Sequence, residues 1–279
     1  MPNGWTSPAV FEIVRLALDE DIGSGDITTR ACVPAHQNGR GRFIAREPLV
    51  LAGPSLLPLI YNLRGGVQDL DIRKRSGDHC HGGETIAEVL GPARTLLECE
   101  RVALNFMQRL SGVATAARHF ARQVEGTNCK VLDTRKTMPG LRVLEKLATE
   151  AGGITNHRMG LYDAILIKNN HIAAAGGIRK AIERARSLGL PVAVEARTRE
   201  ELRAALEVAP ERLLLDNLSP AEAADWIEEI AGRAEVELSG GITLDNVQEY
   251  AELGANFVSS GAITQSARAM DISFRMEMV

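Results

Sequence analysis

The sequence predicts an α/β protein: a parallel α/β barrel of about six strands, preceded by a region of mixed α and β. Two observations lead there. Beyond residue 110, short apolar runs recur at intervals of roughly 20 to 35 residues with helical patterns between them, the rhythm of repeated βα units. Before that point the periodicity alternates between helix and strand without such a repeat, so the two regions differ in kind. An open doubly wound sheet has the same βα rhythm and stands as the alternative at this level.

The elements follow in order. Ser7-Pro8 is a good N-cap and first-turn pair for a helix carrying Val10, Ile13, Val14 and Ala17 on one face. Arg42–Arg46 and Asp69–Arg73 read as short strands, and Gly82-Gly83 as a turn. From Leu96 a long helix is expected, with Leu97, Arg101, Leu104, Met107, Leu110 and Val113 at helical spacing. The six barrel runs are Lys130–Asp133, Ala164–Lys168, Val192–Glu195, Leu213–Asp216, Val236–Ser239 and Phe257–Ser260. Thr198 with Glu201 and Ser219-Pro220 with Glu222 read as capping boxes that start helices between them.

Bulk properties narrow the function classes. A chain of 279 residues suits a barrel with an accessory domain, and 45% hydrophobic with 24% charged residues excludes a disordered chain. No apolar run approaches the roughly 18 residues that span a bilayer, so no membrane partner is expected. The N-terminus lacks a basic segment followed by an apolar one, which points to the cytoplasm. Four cysteines without a CxxC pair read as reduced, mostly buried thiols. A net charge of −4 gives no support to a nucleic-acid partner, so anion binding must come from local clusters.

In a parallel barrel the active site lies at the carboxyl ends of the strands. The six runs end in Asp133-Thr134-Arg135-Lys136, Lys168, Glu195, Asp216-Asn217, Ser239-Gly240-Gly241 and Ser260-Gly261. Arg135, Lys136, His157, Arg158 and Lys168 fall at strand ends or in loops of that face. Five basic groups around one cavity repel unless a polyanion fills it. The alternative for Arg135 and Arg158 is an exposed salt bridge. The two glycine-containing turns at the last strand ends fit a phosphate, the first leading to a helix start near Thr243 or Asp245. Glu195 and Asp216 need a partner, either hydrated magnesium, a ribose diol, or an internal cation such as Lys168 or Arg158. His79-Cys80-His81 reads as a solvated loop rather than a metal site, and His171 as structural.

At this point GDITT (25–29), ERVALN (100–105), DTRKTMPGLR (133–142), NHRMGLYDAILIKNNHI (156–172), LLLDN (213–217), SGGIT (239–243) and SSGAIT (259–264) resemble the quinolinate phosphoribosyltransferase family, in order over nearly the whole chain. The resemblance implies an incomplete parallel α/β barrel with an N-terminal α+β open-sandwich domain. It also implies domains at 1–110, joined by 267–279, and at 111–266. It implies phosphoribosyl transfer from phosphoribosyl pyrophosphate to quinolinate with decarboxylation. Mg2+ is the implied cofactor, and a homodimer with shared active sites, or a higher oligomer, the implied assembly. Arg101 is expected to enter the neighbouring subunit's site. Arg135, Lys136, His157 and Arg158 are expected on quinolinate, with Lys136 also near the sugar phosphate, and Thr134 among the substrate-binding residues. Lys168, Glu195 and Asp216 are expected on ribose, pyrophosphate and magnesium, the metal being held through water and pyrophosphate. Lys136, Lys168, Glu195 and Asp216 form the implied catalytic set. Ser239, Gly240, Gly241, Ser260 and Gly261 are expected on the 5′-phosphate. Two alternatives remain at this level: a molybdenum-transport accessory homologue of the same fold, and a Schiff-base lyase using Lys168.

Overall fold

The computed structural model describes residues 4–279. In chain order the helices are α1 (Pro8–Ile22), α2 (Ile27–Cys32), α3 (Leu57–Asn62), α4 (Ala93–Gln123), α5 (Arg142–Ala151), α6 (Asn169–Ala175), α7 (Ile178–Arg186), α8 (Arg199–Leu206), α9 (Pro220–Ile230), α10 (Val247–Ala251) and α11 (Ala262–Gln265). The strands are β1 (Asn38–Ala45), β2 (Leu49–Val50), β3 (Asp69–Ile72), β4 (His79–Cys80), β5 (Thr85–Pro92), β6 (Lys130–Leu132), β7 (Ile165–Ile167), β8 (Val192–Ala196), β9 (Arg212–Asp216), β10 (Glu235–Ser239), β11 (Phe257–Ser259) and β12 (Ile272–Met278). The chain forms two compact units. One holds the chain up to Arg118 with Thr137–Gly153 and Ser266–Val279; the other holds His119–Lys136 and Ile154–Gln265.

The first unit is built on an antiparallel sheet in the order β12-β1-β5-β3. Along β1 the buried positions are Gly39, Gly41, Phe43 and Ala45, while Arg40 and Arg42 are exposed, the alternation of a sheet covered on one face. That face shares a core with Val10, Val14 and Leu18 of α1 and Leu96, Leu104, Met107 and Leu110 of α4. Helices on one side and an open side opposite make the α+β open sandwich. Ser7 caps α1 through its hydroxyl, with Pro8 at the first helical position. Asp26 of the GDITT string caps α2, accepting from the Thr29 N–H at 2.9 Å. The strand expected at Arg42–Arg46 begins four residues earlier, because two glycines let β1 lie flat: a Cβ on Gly41 would meet the Phe274 ring at 2.1 Å.

The second unit carries all six expected parallel strands, in the order β6-β11-β10-β9-β8-β7. Each strand pairs with the next in sequence from β7 to β11, and β11 then returns to pair with β6. A doubly wound sheet reverses its strand order at a switch point, whereas this order is cyclic with one seam, between β6 and β7. At that seam Leu132 bridges Thr155 instead. The result is an incomplete barrel. One strand face is apolar, with Val192, Val194, Leu213, Leu215, Val236, Leu238 and Val258 buried toward the helices. The opposite, inward face bears the polar residues. Ser219 and Glu222 form the expected reciprocal box on α9. The box at Thr198 is one-sided: Thr198 accepts from the Glu201 N–H, but the Glu201 carboxylate turns to the Arg197 N–H at 2.9 Å.

Candidate active site

Sheet register decides which strand-end residues share a space. Glu195 is level with Leu214, Leu214 with Glu237, and Asp216 with Ser239. In parallel strands, level residues point to the same face, so Glu195, Asp216, Glu237 and Ser239 all look into the barrel. Lys168 follows β7 directly and reaches Glu195, Nζ to Oε2 at 2.8 Å. Arg197 stands 3.7 Å from the other oxygen of Glu195, which is 4% exposed. The internal pairing left open by the sequence is therefore realised for Glu195. A carboxylate this buried is tolerable because two cations offset its desolvation. Asp216 is half-buried, accepts from Asn217 Nδ2 at 2.8 Å and has no ion pair among the described residues.

The basic groups gather after β6 and before β7. Asp133 is fully buried and accepts the His157 N–H at 2.8 Å, which ties the two loops together. Thr134 accepts the Lys136 N–H at 3.1 Å, turning the chain so that Arg135 and Lys136 are exposed on it. Arg158 donates to the Ala164 carbonyl at 3.2 Å. Burial first, and then the like charge of Arg135, push the Arg158 guanidinium below its usual pKa. Asp163 and Glu237 partly offset that effect from within the protein. The His157 ring accepts the Arg158 N–H at Nδ1, 2.6 Å away, and its Nε2 faces Glu237 at 3.4 Å. Both ring nitrogens thus have partners within the protein.

The phosphate-like turns are equally specific. Gly240 and Gly241 both have positive φ, 87° and 64°, a conformation that excludes ordinary side chains. A Cβ on Gly240 would also lie 2.6 Å from the Asn217 backbone nitrogen, whose N–H donates to Ser239 O at 2.8 Å. Ser260 donates to the Ile242 carbonyl at 2.6 Å, joining the last two strand ends. The stem of Lys136 lies across Gly261, where a Cβ would be 2.5 Å from Lys136 Cδ, and Thr264 donates to the Lys136 carbonyl at 2.7 Å. Lys136 is thereby brought to the end of β11. The helix expected near Thr243 or Asp245 starts only at Val247, because Asn246 first closes a turn, accepting from the Thr243 N–H and donating to the Gly241 carbonyl.

Arg101 lies exposed on α4 in the first unit. His171 accepts the Lys168 N–H at 3.0 Å and so caps α6, a structural part as expected. His79-Cys80-His81 is not wholly a solvated loop: His79 and Cys80 form β4 against β2, and Cys80 is buried. Burial pushes the thiols of Cys80 and Cys129 up to about 11 and that of Cys99 to about 12, which leaves them inert, while Cys32 is exposed. The residue missed from the sequence is Glu237. It sits in mid-strand, where attention to strand ends passes over it, yet an acid between Val236 and Leu238 is itself a signal. Burial opposes its charge, but the interactions with His157, the Ser259 side chain and then the nearby Arg212 hold its carboxyl below the usual range.

Among the described residues no helix is long and apolar enough to cross a membrane. Residues 26–111 match the family described as quinolinate phosphoribosyl transferase, N-terminal domain, and residues 113–275 match its C-terminal domain. The chain is 40% identical over 257 residues to the probable nicotinate-nucleotide pyrophosphorylase (carboxylating) of Bacillus subtilis, covering 91% of this chain and 89% of that one. It is 39% identical to the chloroplastic nicotinate-nucleotide pyrophosphorylase (carboxylating) of Oryza sativa, over 95% of this chain and 77% of that protein. The solved nicotinate-nucleotide pyrophosphorylase of Francisella tularensis superposes with a TM-score of 0.91 at 33% identity, over 98% of both chains. That of Ehrlichia chaffeensis gives 0.91 at 36%, over 95% of this chain and 98% of the other. With both domains matched in order and the strand-end residues of one barrel gathered as described, the chain belongs to the quinolinate phosphoribosyltransferase family.

Proposed function

We propose that this protein transfers the phosphoribosyl group of phosphoribosyl pyrophosphate to quinolinate, yielding nicotinate mononucleotide, carbon dioxide and pyrophosphate for NAD biosynthesis. The observation that carries the reading is the convergence, in one barrel, of mutually repelling Arg135 and Arg158 with inward-facing Glu195 and Asp216. Two arginine forks suit two ring carboxylates, each able to donate paired hydrogen bonds. Thr134, Lys136 and His157 complete that subsite, and Arg101 of a neighbouring subunit closes it in a homodimer. Ser239, Gly240, Gly241, Ser260 and Gly261 receive the 5′-phosphate, the glycines' lack of side chains permitting close approach of their backbone.

Transfer requires positive charge to build on the ribose as pyrophosphate departs and the pyridine nitrogen bonds to the anomeric carbon. Glu195 and Asp216 face that charge, and Lys136 and Lys168 face the leaving oxygens. Of the two acids proposed for Mg2+, Asp216 fits as a hard, half-buried carboxylate without an ion pair among the described residues, while Glu195, paired with Lys168 and Arg197, would act through water and pyrophosphate. When bound through water and pyrophosphate, the ion supplies charge neutralisation for the leaving group. After transfer the ring nitrogen is cationic and stabilises the electron pair left on C2 as the adjacent 2-carboxylate departs as carbon dioxide, and C2 then takes a proton from water. Arg135 and Arg158 hold the ring while this happens.

The Schiff-base alternative is disfavoured by the 2.8 Å pair between Lys168 and buried Glu195, the opposite of the apolar surroundings that free a lysine for imine formation. A transport accessory role gives no reason for a dicarboxylate clamp. The proposed domains are residues 1–110 with 267–279, and 111–266. The cytoplasm is the proposed location, in line with four free thiols. Incubation of the purified chain with quinolinate, phosphoribosyl pyrophosphate and Mg2+ is expected to give nicotinate mononucleotide and pyrophosphate in equal amounts. Absence of product from folded protein would overturn the reading.

A further inference from the structure

We propose that Glu237 is a positioning residue for the dicarboxylate subsite: from inside the barrel it holds the His157 ring, and through that ring it fixes the backbone of Arg158. The proposal deepens the reading above and rests on it. Glu237 is 1% exposed on β10 and faces inward. Its Oε2 lies 3.4 Å from His157 Nε2 and 3.4 Å from Arg212 Nη1, while Oε1 has no hydrogen-bond partner among the described residues.

The tautomer of His157 follows from its other contact. Nδ1 accepts the Arg158 N–H at 2.6 Å, so the ring proton of the neutral imidazole sits on Nε2, the atom facing Glu237. The 157–158 turn is then tied twice: the His157 N–H goes to buried Asp133 after β6, and the ring goes to Glu237 on β10. Such a mount has a purpose here. Arg158 is held near the like charge of Arg135, and a guanidinium on an untied loop would swing away before a dianion arrived. Preorganising both cations moves the cost of assembling them from the binding step to folding.

Stability alone does not account for this acid. A buried carboxylate with one unsatisfied oxygen costs more than a neutral residue of the same shape. Nor does Arg212 require it, since Arg212 pairs with Glu235 at 3.0 Å and stacks 3.8 Å from the centre of the Phe257 ring.

The test is steady-state kinetics in both substrates. Glu237→Leu is expected to raise the quinolinate KM about tenfold or more, the loss of one buried hydrogen bond, with the phosphoribosyl pyrophosphate KM unchanged. Glu237→Gln, whose amide oxygen still accepts from Nε2–H, should restore most of the quinolinate affinity. Glu237→Leu should add little to His157→Ala, because the tie is already cut when the ring is gone. Equal rises in the two KM values, a full defect in Glu237→Gln, or the same defect in Arg212→Gln would each overturn the proposal. A second readout needs neither turnover nor the leucine variant. Ring 1H–15N correlation spectra of the unmodified protein, with His157 assigned by its loss in His157→Ala, should show the proton on Nε2. A proton on Nδ1 would refute the tie. A chain that makes no nicotinate mononucleotide but shows this tautomer would instead sink the enzymatic reading.

Discussion

The proposed dicarboxylate subsite turns on its two arginines. Arg158 is displaced from its usual pKa by burial and by Arg135. Arg135→Ala and Arg158→Ala are each expected to weaken quinolinate binding by about 10- to 100-fold, the range for a charge-assisted hydrogen bond of about 1.5–3 kcal/mol. Calorimetry with nicotinate, which lacks one carboxylate, should show a much smaller loss; equal losses for the two ligands would remove the clamp assignment. The residue types at these positions were legible in the sequence, since Arg, His and Lys after apolar runs are hard to explain as scaffold. Lys168 was among the partners the sequence left open for Glu195, but the choice could not be made there, because Lys168 lies 27 positions away and only strand adjacency joins them.

At the scale of elements, the fold depends on close backbone approaches and on how the chain's end is held. α4 passes the 268–269 segment so closely that a Cβ on Gly112 would lie 1.9 Å from the Arg268 carbonyl oxygen. Backbone cannot swing aside as a side chain can, so Gly112→Ala should cost about 2–3 kcal/mol by overpacking. Urea unfolding should show a lower midpoint; an unchanged midpoint would contradict the close approach. Just after this segment β12 joins the sheet, and Glu47 accepts from Arg268 and from the Asp271 N–H at 2.9 Å. The hydrogen bond from Arg268, helped by the Asp271 N–H, lowers the Glu47 carboxyl to about 2. A depressed carboxyl stabilises above its unfolded pKa and loses that contribution as pH falls toward the folded value. Glu47→Gln should therefore cost about 0.5–1 kcal/mol at pH 7, a figure reduced for the exposure of Arg268. The gap between the two proteins should close as pH falls from 4.5 to 2. A difference that persists at pH 2 would show that packing, not charge, was lost.

For the whole molecule, the proposed shared site gives a test that no single chain can pass by itself. Arg101→Ala and Lys168→Ala should each be inactive, and a mixture after subunit exchange should regain about a quarter of normal activity. Half of the random dimers are hybrid, and each hybrid carries one intact site. No recovery after exchange, verified by mass spectrometry, would mean that Arg101 does not act across subunits.

Local chemistry reached far in this chain. Hydrophobic period placed all six barrel strands to within a residue or two, and the capping residues Ser7 and Ser219 marked their helices, because a cap and a period-2 run act over a few residues. Thr198 met that limit, since a competing N–H one residue earlier took the Glu201 carboxylate. Non-local pairing settled the rest. The return of β11 to β6 chose a barrel over a wound sheet, and the register that set Glu237 inward beside His157 came from strands far apart in the chain. A linear pattern carries propensity and spacing, but which distant carboxylate meets which cation depends on how strands close around one interior.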